Sequence, residues 1–258
     1  MLGCQHPPVV WDGQPISVAG ASAVGAVVVV DSPPRFMVPS TRGAPPREPG
    51  GCAASLRFAD GTDGVVYAAW WAARPDSSVL LRVARSADGG ATWGAAETAE
   101  GRDKGVRGCA RPAAAVAVDP DSGYLHLAYF LEPADGAGVF YAHRMQGMFH
   151  APVAIVYGQR PAAVAVAARG DTVVVAYEDP NGATPRIALA VSMTAGHLFA
   201  VRVPVSGESV AARAPVAGLR GTRVGVGWWE SAVGDADAPE DPNEVPAGRP
   251  VVRLGTLP

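Results

Sequence analysis

The chain has 258 residues, 48% of them hydrophobic, enough apolar material for a core in one large domain. A formal charge of −3 with no basic run argues against nucleic-acid binding. No apolar stretch approaches the ~20 residues of a membrane-spanning helix, and Val24 to Val30 is too short. The 31 glycines and 24 prolines interrupt an Ala- and Val-rich background without long helical patterns, so an all-β chain of short strands and turns is expected.

Residues 1–8 read as a leader and 9–258 as one domain. Met1-Leu2-Gly3-Cys4 is similar to the end of a bacterial lipoprotein signal, in which the cysteine becomes the lipidated first residue. The basic and hydrophobic regions of such a signal do not precede it, so either the chain starts too late and Cys4 is a lipidation site, or the match is chance. Pro7-Pro8, Pro33-Pro34 and Pro45-Pro46 suggest an extended leader around a folded body, with strand candidates at Ile16–Ala19 and Val24–Asp31.

From residue 50 the chain repeats. Cys52 to Phe58, Arg111-Pro112 to Val118, Arg160-Pro161 to Val166 and Arg213 to Leu219 are small-residue strands. Each is followed by a turn and a strand that ends in aromatics, as at Trp70-Trp71, Tyr129, Tyr177 and Trp228-Trp229. Pro112 to Pro161 is 49 residues and Pro161 to Pro215 is 54, a period suited to four-stranded propeller blades. The units are about 50–104, 105–156, 157–206 and 207–258. Residues 9–49 would add a first blade, for five, and closure would borrow a strand from one terminus to cover exposed edges.

The first unit carries Ser86-Ala87-Asp88-Gly89-Gly90-Ala91-Thr92-Trp93 after the apolar run 79–84. Asp88 can accept turn amides, the glycines allow positive φ, and Trp93 can pack over the turn. Ser192 to Phe199 keeps Ser, Gly and the final aromatic at the same spacing without the Asp and Thr; Met145 to Phe149 is a more degenerate copy. Ser86, Asp88, Gly90, Thr92 and Trp93 resemble the Asp box of sialidases and other BNR-repeat β-propellers. That resemblance implies a β-propeller of four-stranded antiparallel blades, five here or the six of sialidases, and a turn that is structural.

The resemblance also implies an arginine triad that holds a substrate carboxylate. Arg111, Arg160 and Arg213 begin small-residue strands expected at the centre of the ring and would meet at one channel mouth, with Arg107 and Arg47 nearby, as an anion clamp. The alternative is that they bond neighbouring loop carbonyls and acidic groups. A sialidase further needs a Tyr nucleophile with a Glu partner and an Asp acid/base. Tyr177-Glu178-Asp179 and Trp229-Glu230 offer partners, but no acid/base Asp stands in the first third. Pro34-Arg35-Phe36-Met37-Val38-Pro39 also has the family's Arg-Ile-Pro ingredients out of order.

Cys52 and Cys109 sit at matching points of consecutive units, so they are either a disulfide or two small buried residues. His6, His126, His143, His150 and His197 show no paired spacing, so no metal and no cofactor are expected. Asp119-Pro120-Asp121-Ser122-Gly123 reads as a turn and 235–244 as a solvated acidic loop.

The expectation is a non-catalytic, exported, periplasmic or cell-surface propeller. It would bind protein partners as a scaffold subunit, for example on the external face of a membrane complex, with one tryptophan of each pair available to an interface. The alternatives are a sialidase-type glycoside hydrolase and a carbohydrate-binding propeller.

Overall fold

The computed structural model describes residues 9–18, 27–30, 35–37, 45, 48–233, 241–244 and 246–258. Two short strands, β1 (Val10–Trp11) and β2 (Ile16–Ser17), precede a two-stranded ribbon of β3 (Val27–Val29) and β4 (Arg35–Met37). Sheet I is the antiparallel meander β5 (Arg57–Asp60), β6 (Val66–Ala73), β7 (Val79–Ser86) and β8 (Glu97–Glu100). Sheet II has β9 (Ala115–Val118), β10 (Leu125–Leu131) and β11 (Gly138–Met145), with β12 (Met148–Phe149) and β13 (Val153–Tyr157) both paired to β11. Sheet III is β14 (Val164–Arg169), β15 (Thr172–Glu178), β16 (Ile187–Ser192) and β17 (Val201–Pro204). Sheet IV is β18 (Val210–Arg220), β19 (Arg223–Ala232) and β20 (Arg249–Thr256).

The first strands β5, β9, β14 and β18 touch in that order, and β18 also packs on β3. Their Ala- and Val-rich lengths enclose a cavity of about 130 Å³. Small side chains allow four strands to converge on one axis. The result is an all-β propeller of four-stranded antiparallel blades, with boundaries close to those of the sequence repeats. The remaining edge of sheet IV is filled from the other end of the chain: Val10 lies opposite Thr256, and Ile16 opposite Val252. Ile16–Ser17 therefore completes the last blade and does not belong to a first one; only the β3–β4 ribbon is described where that first blade was expected.

Strand alternation builds the cores between blades. Tyr129 and Leu127 face sheet I, where they meet Trp71 and Leu81, while Phe130 faces sheet III with Val175 and Tyr177. Val174 and Leu189 of sheet III meet Val226 and Trp228 of sheet IV. Each such side chain contributes roughly 1.5–3 kcal/mol by leaving water.

The expectation of an exposed tryptophan in each pair is overturned: Trp70, Trp71, Trp228 and Trp229 are all buried. The outward Trp70 is covered because its Nε1 donates to Glu48 at 2.9 Å, and Glu48 is itself held by Arg82. Cys52 and Cys109 are joined in a disulfide with Cα atoms 5.4 Å apart, linking the entry to sheet I with the entry to sheet II. Cys4 lies outside the described residues.

Candidate functional site at the channel mouth

The turn at the end of β7 is knit by side-chain oxygens. Gly90 N donates to Ser86 Oγ at 2.8 Å, and Thr92 N and Oγ1 donate to Asp88 at 2.8 and 2.6 Å. These bonds, those of the Thr92 hydroxyl first, hold the exposed Asp88 carboxyl down to about 2. Trp93 packs on Phe58, ring centroids 6.0 Å apart. The degenerate copy after β16 keeps the same bonds with different atoms: Gly196 N donates to Ser192 Oγ at 3.1 Å, and Leu198 N to Thr194 Oγ1 at 3.0 Å. Thr194 thus does the acceptor work of Asp88. Met145 to Phe149 is not a third copy. It is a two-residue hairpin with Gln146 (φ 49) and Gly147 (φ 86) at its tip, the positive-φ pair that such hairpins prefer.

These turns lie at the opposite ends of the strands from the mouth where the arginines were expected. Arg111 is not part of an open clamp there. It is completely buried, pairs with Asp103 at 3.1 and 3.3 Å, donates to Gly108 O and stacks over Trp71 at 5.5 Å. Asp103 also accepts Val79 N and Glu132 N, so it ties sheet I to sheet II through Arg111. The desolvation of both charges is repaid by this full set of partners. Arg107 pairs with Glu132 at 3.1 Å, and Arg47 lies outside the described residues.

Arg160 and Arg213 do come together, around Glu178. Their charges act on its carboxyl, and Glu178 accepts Ala214 N at 2.8 Å. Burial nevertheless dominates and holds the Glu178 carboxyl above its ordinary range, against the pull of that amide and of Arg213 and Arg160. Arg160 also donates to Asp179 O.

Comparison of the blades shows what is unusual about this residue. Toward their ends the second strands carry Ala69-Trp70-Trp71, Ala128-Tyr129-Phe130, Ala176-Tyr177-Glu178 and Gly227-Trp228-Trp229. The third position is aromatic in three sheets and a carboxyl in the fourth. A tyrosine–carboxylate pair also exists, with Tyr129 Oη donating to Glu100 at 3.0 Å. It is sealed between sheets I and II, and burial drives the phenol well up, which removes it as a nucleophile.

Of the acidic stretch 235–244, the described residues are 241–244, and these are tied down rather than merely solvated. Asn243 Oδ1 accepts Ala113 N at 2.8 Å and Arg57 at 3.3 Å, while its Nδ2 donates to Arg111 O at 3.1 Å. The loop arches across the channel mouth, and Glu244 joins Arg57 and Asn243 on the cavity wall. Asp119 is a turn residue that reaches the next blade: it accepts Asp121 N and Gly170 N, each at 3.0 Å.

The histidines were misjudged from their spacing. His143, His150 and His197 converge, with candidate ligand nitrogens within 4.8 Å of one another. Only the strand register and the docking of two blades bring them together, and neither is visible in a linear spacing.

No protein-family model matches the chain, and no curated protein matches it by sequence. Solved structures do match in fold. An α-L-arabinofuranosidase of Fusarium graminearum, solved with arabinobiose, has a TM-score of 0.54 at 15% identity, over 95% of this chain and 68% of its own. A Penicillium chrysogenum α-L-arabinanase, also solved with arabinobiose, has a TM-score of 0.50 at 16% identity, over 93% and 72%. A protein of unknown function from Dyadobacter fermentans has a TM-score of 0.53 at 15% identity, over 78% of this chain; the match spans about half, 53%, of that protein. At these identities the likeness is one of fold: a propeller, with no particular tie to sialidases.

Proposed function

We propose that the protein is an exported propeller of the glycoside hydrolase type, directed at a glycan through the mouth around Glu178. The observation that carries the proposal is the buried carboxyl of Glu178, held above its ordinary range by desolvation, at a position the other blades give to an aromatic. A carboxyl whose pKa is raised by burial, and which accepts the amide of a residue on the cavity wall, Ala214, is the kind of group that serves as a general acid. Glycosidic cleavage uses two carboxyls, and Glu244 on the arching loop is the second carboxyl of the mouth. Arabinan-acting enzymes share the fold, so arabinan and arabino-oligosaccharides are the first substrates to offer. Sialosides are the second, because Arg160 and Arg213 suit an acidic sugar. The Cys52–Cys109 bridge supports export.

The test is release of reducing ends from these glycans by purified protein, with Glu178→Gln as the variant. Turnover in the parent that falls more than about 100-fold in E178Q supports both reading and site; general acid–base groups are worth ~10²–10⁴-fold. Turnover unchanged by E178Q removes the site but keeps the glycan reading. No turnover, together with no binding on a glycan array, overturns it.

A second reading, a protein-docking subunit held on a membrane complex, is favoured by Asn243. Its bonds across the mouth leave about 130 Å³ beneath, below the ~300 Å³ at which ligand pockets begin. Stoichiometric recovery with membrane proteins, without glycan turnover, would support it.

A further inference from the structure

We propose that His143, His150 and His197 form a site for one divalent late first-row transition metal, with zinc as the reference ion, bridging sheets II and III on the face opposite Glu178.

Two local structures deliver the ligands. The hairpin at Gln146-Gly147 folds β12 back on β11, so that His150 N donates to His143 O at 3.0 Å and the two imidazoles become a cross-strand pair. His197 comes from the turn after β16, where its N donates to Thr194 O at 3.0 Å. That turn is pressed onto sheet II. Gly196, at φ +89, lies so close to Tyr141 that a Cβ would stand 2.0 Å from the phenol oxygen. Phe199 meets the same ring edge-on at 4.9 Å, and Tyr141 Oη in turn bonds His126 Nδ1 at 2.6 Å. A residue two places either way along this turn would miss the cluster, so the placement of His197 follows from the docking.

Ring centroids lie 4.6 Å (His143–His150), 4.7 Å (His143–His197) and 5.6 Å (His150–His197) apart. The cluster opens in steps, from buried His143 through half-buried His150 to exposed His197.

Geometry alone does not demand a ligand, but one atom does. His143 is 2% exposed, and its Nε2 has no hydrogen-bond partner. A buried polar nitrogen left unmatched is costly and calls for an explanation.

Three imidazole nitrogens with no thiolate select zinc, copper or nickel over magnesium or calcium. Bonds of about 2.0–2.1 Å in a tetrahedral set place nitrogens ~3.4 Å apart. The rings must therefore draw in from 4.8 Å, and exposed His197 has room to turn. A fourth position faces solvent for water.

The test uses untagged, chelator-treated full-length protein titrated with zinc. Binding is followed by calorimetry and by the melting temperature, and Co²⁺ serves as a spectroscopic stand-in. The expected result is one equivalent per chain, a melting temperature that climbs with zinc concentration, and a Co²⁺ spectrum of nitrogen ligation. His197→Gln, exposed on its turn and so harmless to folding, weakens binding more than about tenfold, since even outer-shell losses cost 10–100-fold. No stoichiometric uptake by the parent, or equal affinity in H197Q, overturns the proposal.

Discussion

Asp88 shows what a single side chain can do for a turn. Its carboxylate collects an amide, two hydroxyls and no cation, and these hold it down to about 2. An unfolded aspartate titrates near ~3.9. The folded value is the lower one, so the stability linked to this group is complete above about pH 4 and is lost as the pH falls toward 2. Asp88→Ala should therefore melt below the parent at pH 7, and the gap should narrow steadily as melting is repeated from pH 5 to pH 2. A constant gap would mean the loss is one of turn shape and not of charge.

This turn was legible in the sequence because the side-chain hydrogen bonds of Ser86 and Asp88 all fall within residues 86–92. The copy at Ser192 was half legible. Thr194 accepts the bond that Asp88 accepts elsewhere, and an acceptor oxygen is not a residue identity. Arg111 was misplaced for a related reason. Its Arg-Pro context marks the start of an inner strand correctly, but the partner that removes it from the channel, Asp103, sits on a loop that nothing in the repeat predicts.

At the scale of elements, each blade is joined to the next by a different device. Sheets I and II share the disulfide and the Asp103–Arg111 pair; II and III share Asp119 on Gly170 and the packed turn at Gly196. Sheets III and IV share Glu178 on Ala214 N. Breaking one member of a fully buried ion pair strands the other. Asp103→Ala should cost about 3–5 kcal/mol, read as a lower urea midpoint with the disulfide intact. A loss under about 1 kcal/mol would show that water reaches Arg111. The blade boundaries were readable because the Arg-Pro strands recur in phase. The joints were not, because each is made by residues far apart along the chain and unlike those of the other blades.

For the whole molecule, the decisive feature is the closure of the ring. Sheet IV obtains its outer strands from residues 10–17, paired with β20. Removing residues 1–18 would leave β20 as a bare edge. Such edges recruit strands from other chains. The truncated protein should melt lower than the parent and show concentration-dependent self-association by light scattering. A monomer with parental melting temperature would mean that the clasp is dispensable. A terminal contribution to closure was expected from edge logic alone. The identity of the donor was not, since 16–19 read equally well as part of a blade of its own.

The same closure constrains how the protein is made. Val10 and Trp11 leave the ribosome long before their partners Thr256 and Gly255. Blades I to III can condense in turn as they emerge, but residues 10–17 must wait, unpaired, until β20 has been made. Contacts this far apart in sequence are slow to form. A nascent protein stalled short of residue 249 would therefore hold three blades and a loose leading strand, a form for holdase chaperones to shield and for proteases to trim.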